Sequence, residues 1–433
     1  MSGSHRGSNE AALDLREKGA PGLSSPVPLS EVGAQDWRVL REDLPLPIAV
    51  IKERALRHNS AWMKAFLARG GAVIAPHGKT TMSPALFDLQ LDDGAWAVTL
   101  ATPHQIQVAR SFGYNRIFLA NQLVGRSAIE YVLRELRDHS DFQFYCLVDS
   151  IANAQAIAGA AHQLRLARPV NLLVELGYSG GRTGCRSLDE AVALASFVSG
   201  SDRLRLSGVE GFEGLLHSDS REKTTTLVNV FLDSLVNLAE ICASKGFFSD
   251  ETIILSAGGS SFYDLVVAKL SGAKLSRPSV ILLRAGCYIT HDSLMYVRAF
   301  DALRERNPDL AAAGGGLQPA MEVWAYVQSR PEPTKAILGF GKRDASYDDL
   351  PVALSWFRPG GAMDRPTPMP AEHDVLKLND QHCHMAIPED SPLTVGDMVA
   401  FGISHPCLTF DKWRVIHLVD DGYRVTSSIR TYF

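Results

Sequence analysis

From Leu46 to Asp292 the sequence repeats one pattern about eight times: a short apolar run, then an amphipathic stretch. "AVIAPHGK", "RIFLANQL", "NLLVELG", "TIILSAGG" and "SVILLRAGCYIT" are runs of the first kind; "SAIEYVLRELRDH" and "SLDEAVALASFVSG" are of the second. Strands covered on both faces read as unbroken apolar runs, and parallel neighbours need a crossover between them, commonly a helix. Eight such units in this length favour an α/β fold, a closed (β/α)8 barrel, over an open doubly wound sheet.

The texture changes after Asp292. "AMEVWAYVQSRPEP", "LTVGDMVAFGIS" and "WRVIHLVDDGYRV" alternate short strands with Pro, Gly and Asp-Gly turns, which predicts an all-β domain. The chain therefore divides into a polar segment over 1–30 without fixed structure, a barrel over 31–292 and a β domain over 293–433, with "LAAAGGGLQP" as the linker or exposed turn.

Charge and cysteine usage narrow the function classes. A net charge of -5 without a dense Lys/Arg cluster excludes an electrostatic footprint for nucleic acid or an anionic membrane, leaving small molecules or a second copy as partners. Six cysteines with no CxxC pair predict free thiols and a reducing compartment. With no leader pattern and no long apolar span, the expectation is a cytoplasmic protein.

Several segments carry chemistry. In "PHGKTTMSPALFDLQ", Lys79 falls in the turn between a buried strand and a helix that starts with Ser83 as cap and Pro84 at its first position, so on a barrel it opens onto the mouth. A lysine there is either a solvated charge or an amine able to condense with an aldehyde. "LSAGGSSFYD" sets Ser256, Gly258, Gly259 and Ser260 after a strand, where amides and hydroxyls can cradle a phosphate. "ELGYSGGRTG" offers Arg182 among glycines, and "GVEGFEGLLH" offers Glu210 and Glu213. In "SHPCLTFDKW", His405 and Cys407 are two apart, so on extended backbone they face one side and can share a zinc ion; His382, Cys383 and His384 add further donors.

Together "PHGKTT", "LANQLV", "GGRTG", "SAGGSSFYD", "LRAGCYITHD" and "HPCLTFDKW" resemble the D-serine dehydratase and D-threonine aldolase family, fold type III pyridoxal phosphate enzymes with an alanine-racemase-like barrel. The resemblance implies pyridoxal 5'-phosphate on Lys79 as a Schiff base, with Arg182 as a cofactor contact and Gly258, Gly259 and Ser260 on the phosphate. His77, Ser256 and Tyr288 belong to the same cofactor surroundings, and Glu213 lies near the ring nitrogen. It implies Zn2+, or another divalent ion such as Mn2+, on His405 and Cys407, with His382 as a further catalytic candidate.

The aldolases have His-x-Asp at the metal motif, whereas this chain has His-Pro-Cys, the dehydratase form. The expected activity is therefore loss of water from a D-serine-type amino acid, giving a 2-oxo acid and ammonia. A D-threonine-type aldolase is the alternative, and a non-catalytic pyridoxal phosphate carrier is a remote one. The family also implies a homodimer with the active site at its interface.

Overall fold

The computed structural model describes residues 12–309 and 314–433; the first eleven residues and part of the "LAAAGGGLQP" stretch lie outside them. Eight parallel strands run Ala72–Ile74, Val98–Leu100, Arg116–Gln122, Gln143–Val148, Val170–Leu176, Leu204–Gly211, Ile253–Ala257 and Ser279–Leu283. Seven pairings join these strands in one sheet. Its two ends then meet, because Trp96 and Thr99 donate backbone bonds to Ile74 and Pro76 at 2.7 and 2.9 Å. The expected eightfold unit is thus present, closed into a barrel.

Alternation along the strands sorts side chains into two cores. Ala75, Phe118, Leu147, Leu173, Ile254 and Leu282 fill the barrel interior. Their neighbours Ile253, Leu255, Val174 and Cys146 join the layer beneath the helices. The helix Arg221–Ser244 is long and apolar enough to cross a membrane, but it lays Val228, Phe231, Leu232 and Leu235 into that layer. It is a barrel helix.

The domains interleave more than a single cut near 292 implies. Ile48–Lys52, four of whose five residues are buried, pairs antiparallel with Met321–Glu332 and parallel with Val415–Val419, so it is a strand of the C-terminal sheet. A strand with no polar face needs partners on both edges, and the β domain supplies them. At the other limit, the helix Met295–Arg306 packs Phe300 edge-on against Trp62 and pairs Arg306 with Asp264, which makes it a barrel helix beyond residue 292.

Within 1–30, the described residues are docked rather than loose. Leu13, Ala20 and Leu29 are buried in the β domain's own core. Lys18 lies 3.7 Å from the centre of the Trp413 ring and pairs with Asp344, and the Gly19 carbonyl receives a bond from buried His417. Polar composition concealed a few well-spaced apolar anchors.

Candidate active site

After Ile74 the chain continues extended through His77 and then makes one tight turn, Gly78–Thr80. A Cβ on Gly78 would stand 2.8 Å from Phe87, so only glycine lets the turn lie this close to the following helix. Lys79, half-buried, projects into a cavity of about 100 Å³ at the C-terminal mouth of the barrel. The helix begins at Pro84 as expected, but Ser83 caps it differently: the amides of Leu86 and Phe87 donate to its carbonyl, and its hydroxyl makes no cap bond. Burial, with the charge of Lys79 beside it, holds His77 well below the usual histidine range.

Gly258, Gly259 and Ser260 face Lys79 across the same cavity. The amides of Gly258 and Gly259 both donate to the Glu213 carboxylate, at 3.1 and 3.0 Å. Gly258 reaches this geometry at φ +94°, open to glycine. A carboxylate seated across two converging amides is a stand-in for an anion, so the turn fits a phosphate. Burial raises the Glu213 carboxyl. The Phe212 ring crosses this side of the cavity, with the Arg182 guanidinium 4.9 Å above it.

His405 and Cys407 complete the lining, with a third donor absent from the sequence expectation. The donor atoms of Cys287, His405 and Cys407 all lie within 4.8 Å of one another, and the two sulfurs are 3.7 Å apart. His405 Nδ1 donates to Asp348 at 2.7 Å, which leaves Nε2 for the cluster. Contact with the Cys407 sulfur, then with Asp348, raises His405 to about 9. The bond shared with Cys287 pulls the Cys407 thiol well down and pushes the Cys287 thiol up. Two thiols and an imidazole are a donor set that suits a thiophilic divalent metal.

His405 and Cys407 do not converge by the extended geometry expected. Pro406 has helical backbone angles, and Cys407 opens the short helix Cys407–Phe410. Proline's fixed φ suits a helix start, so the turn itself brings the pair together.

The other expected residues sit elsewhere. Ser256 is buried beneath the mouth, donating to the Leu282 carbonyl and accepting from Arg284. Tyr288 points away from the mouth into a separate hollow, where its hydroxyl accepts from Gln90. Its neighbour Cys287 faces the site instead. Arg182 is exposed and lines a neighbouring hollow with Glu175 and Thr183. His382 is exposed on a turn of the β domain, outside the cavity.

Sequence reasoning also passed over Tyr296, edge-on to His405, and Arg284, paired with buried Glu210. Burial lifts Glu210 to about 8, and Arg284 only partly offsets it. A hollow of about 530 Å³ at the opposite end of the barrel is larger, but its arginines are engaged: Arg116 with Gln143, Arg168 with backbone carbonyls and Arg205 with Asp250.

Residues 51–262 match the alanine racemase N-terminal domain, and residues 320–419 match the putative serine dehydratase domain. No curated protein sequence matches the chain. Among solved structures it is similar to the D-threonine aldolase from Filomicrobium marinum, at 20% identity and TM-score 0.73 over 90% of this chain and 95% of that one. The D-threo-3-hydroxyaspartate dehydratase from Delftia sp. HT23 matches at 21% identity and TM-score 0.69, over 91% and 99%. An alanine racemase of Clostridium difficile 630 matches at 16% identity and TM-score 0.57, over 89% and 98%. At these identities the structures establish a shared fold, and pyridoxal phosphate fits that fold family.

Proposed function

The chain belongs to the alanine-racemase-like family that carries a serine dehydratase domain, and from that premise we propose a lyase acting on D-3-hydroxy amino acids with pyridoxal phosphate and zinc. The reaction we assign is loss of the β-hydroxyl from a D-serine-type substrate, giving a 2-oxo acid and ammonia. The observation that carries this reading is the single cavity lined by Lys79, by Gly258, Gly259 and Ser260, and by His405 and Cys407.

In this reading Lys79 would hold the aldehyde, the Gly258 and Gly259 amides with Ser260 the phosphate, and His405 Nε2 with Cys407 Sγ the metal. When bound, the pyridoxal ring supplies an electron sink at Cα, and the metal supplies a Lewis acid at the β-hydroxyl. Once the substrate amine has displaced it from the aldehyde carbon, the free Lys79 Nζ would take the Cα proton of the substrate. Asp348 fixes the His405 ring by accepting from Nδ1. Phe212, with Arg182 stacked on its ring, lines the phosphate side of the cavity. The same reading includes a homodimer whose interface covers the mouth, a point that light scattering checks.

The test incubates the protein, loaded with pyridoxal phosphate, with D-serine and with D-threonine, with and without chelator. Keto acid with ammonia, lost on chelation, is the expected product. Glycine with an aldehyde would assign an aldolase instead, and no product from either substrate would leave a cofactor carrier. Borohydride treatment of the loaded protein should leave a pyridoxyl label on Lys79; a label on any other residue sinks the assignment.

A further inference from the structure

We propose that Cys287 is a third protein ligand of the metal, so that the site is two thiolates and one imidazole with a single position left open toward Lys79. The inference rests on the metal-dependent reading above and goes beyond the His405 and Cys407 pair.

Geometry supports it first. Two sulfurs each about 2.3 Å from one zinc ion, at a tetrahedral angle, are about 3.8 Å apart. Cys287 Sγ and Cys407 Sγ are separated by 3.7 Å, far beyond a disulfide bond, and the His405 ring nitrogen lies within 4.8 Å of both. The sulfur pair has tetrahedral spacing, and the imidazole is near enough to join it on one ion. The remaining tetrahedral position can open onto the cavity that Lys79 and Ser260 line. Three protein ligands and one open position is the arrangement of catalytic zinc sites, whereas a closed set of four serves structure alone.

Placement supports it second. Cys287 starts the short turn Cys287–Ile289 just beyond the eighth barrel strand, while His405 and Cys407 follow Met398–Gly402 of the β domain. A metal held by all three clips the barrel to the β domain. Cys287 is only 4% exposed, and its sulfur is engaged by Cys407 and Tyr296, so its orientation toward the cluster is fixed before any ion arrives.

Chemistry gives the consequence. Two thiolates against one dication leave a neutral centre, and their softness selects zinc over manganese. The chain should therefore take zinc from an equimolar mixture of the two ions.

X-ray absorption on the reduced, zinc-loaded full chain tests this, because it counts ligands without reference to turnover. The expected result is two sulfurs at about 2.3 Å for each zinc. In Cys287→Ser one sulfur should remain, with zinc affinity, read by chelator competition, weaker on the order of 100-fold, the upper end of what outer partners alone cost. One sulfur in the wild-type protein with zinc retained overturns the third ligand and leaves the lyase reading standing. Zinc bound without sulfur, or none bound, overturns the metal assignment and this inference together. The wild-type spectrum decides even where the variant misfolds.

Discussion

Thr80 Oγ1 lies 3.4 Å from Cys407 Sγ, joining residues 327 positions apart. The contact ties the turn that carries Lys79 to the motif assigned to the metal, so the two halves of the site are set in register by one hydroxyl. The bond to Thr80 also helps hold the Cys407 thiol low. Thr80→Val keeps the shape and removes the bond. We expect zinc binding to weaken by about 10-fold to 100-fold, in the range of outer partners of a metal site, with little change in thermal stability. Chelator competition and a melting curve check both parts.

Gly286 precedes Cys287 and leaves no room for a side chain. A Cβ there would stand 2.6 Å from the His77 carbonyl oxygen and would collide with Thr80 Oγ1. Relief requires backbone to move on the Lys79 side. Gly286→Ala should therefore misplace Lys79 and Cys287 together, lowering both pyridoxyl labelling of Lys79 and zinc affinity at least about 10-fold, and should cost roughly 1–3 kcal/mol of stability by overpacking. Loss of one property with the other intact would contradict the shared cause.

Glu213 fills the seat that the proposed phosphate needs. Its carboxylate satisfies the Gly258 and Gly259 amides, and removing it leaves two donors without their partner. Glu213→Ala should destabilise the cofactor-free protein by roughly 1–3 kcal/mol, the cost of unsatisfied buried groups. Inorganic phosphate should restore part of that loss by taking the vacated place. The measurement is a melting curve against phosphate concentration; an equal shift in wild type and variant would mean that phosphate does not bind these amides.

The barrel was legible because its signal is local. Each strand announces itself as an apolar run such as "NLLVELG", and each crossover by its own helical period. What escaped was orientation. Nothing local tells which of Cys287 and Tyr288 turns toward the mouth, since the two are adjacent in one tight turn and point to opposite hollows. Nor does period reveal that Ile48–Lys52, though it precedes the barrel, completes a sheet made mostly of residues beyond 320. The His405 and Cys407 pair was found by spacing, yet through an extended geometry that Pro406 does not adopt. The Cys287 donor could have been suspected only by asking which of the six cysteines lies at the end of a barrel strand.

Acid should loosen the N-terminal segment through His417. The ring is fully buried: Nε2 donates to the Gly19 carbonyl at 3.0 Å, and Nδ1 accepts from the Ser428 hydroxyl at 2.6 Å, so the neutral form has every bond satisfied. Burial lowers the folded value to about 4, against 6.5 for a free histidine. Below 6.5 the unfolded chain gains a proton that the folded chain refuses. The contribution of His417 to stability is therefore complete above 6.5 and declines as pH falls toward 4, by about 3 kcal/mol at most. Asp292, raised by burial to about 7, works in the opposite sense over this range, so the informative quantity is a difference between proteins. In urea titrations between pH 7.5 and 4.5, His417→Gln should lose less stability on acidification than wild type, and hydrogen exchange around Gly19 should quicken with acid in wild type only, beyond the intrinsic pH effect. Parallel stability curves for the two proteins would show that this ring does not carry the acid response.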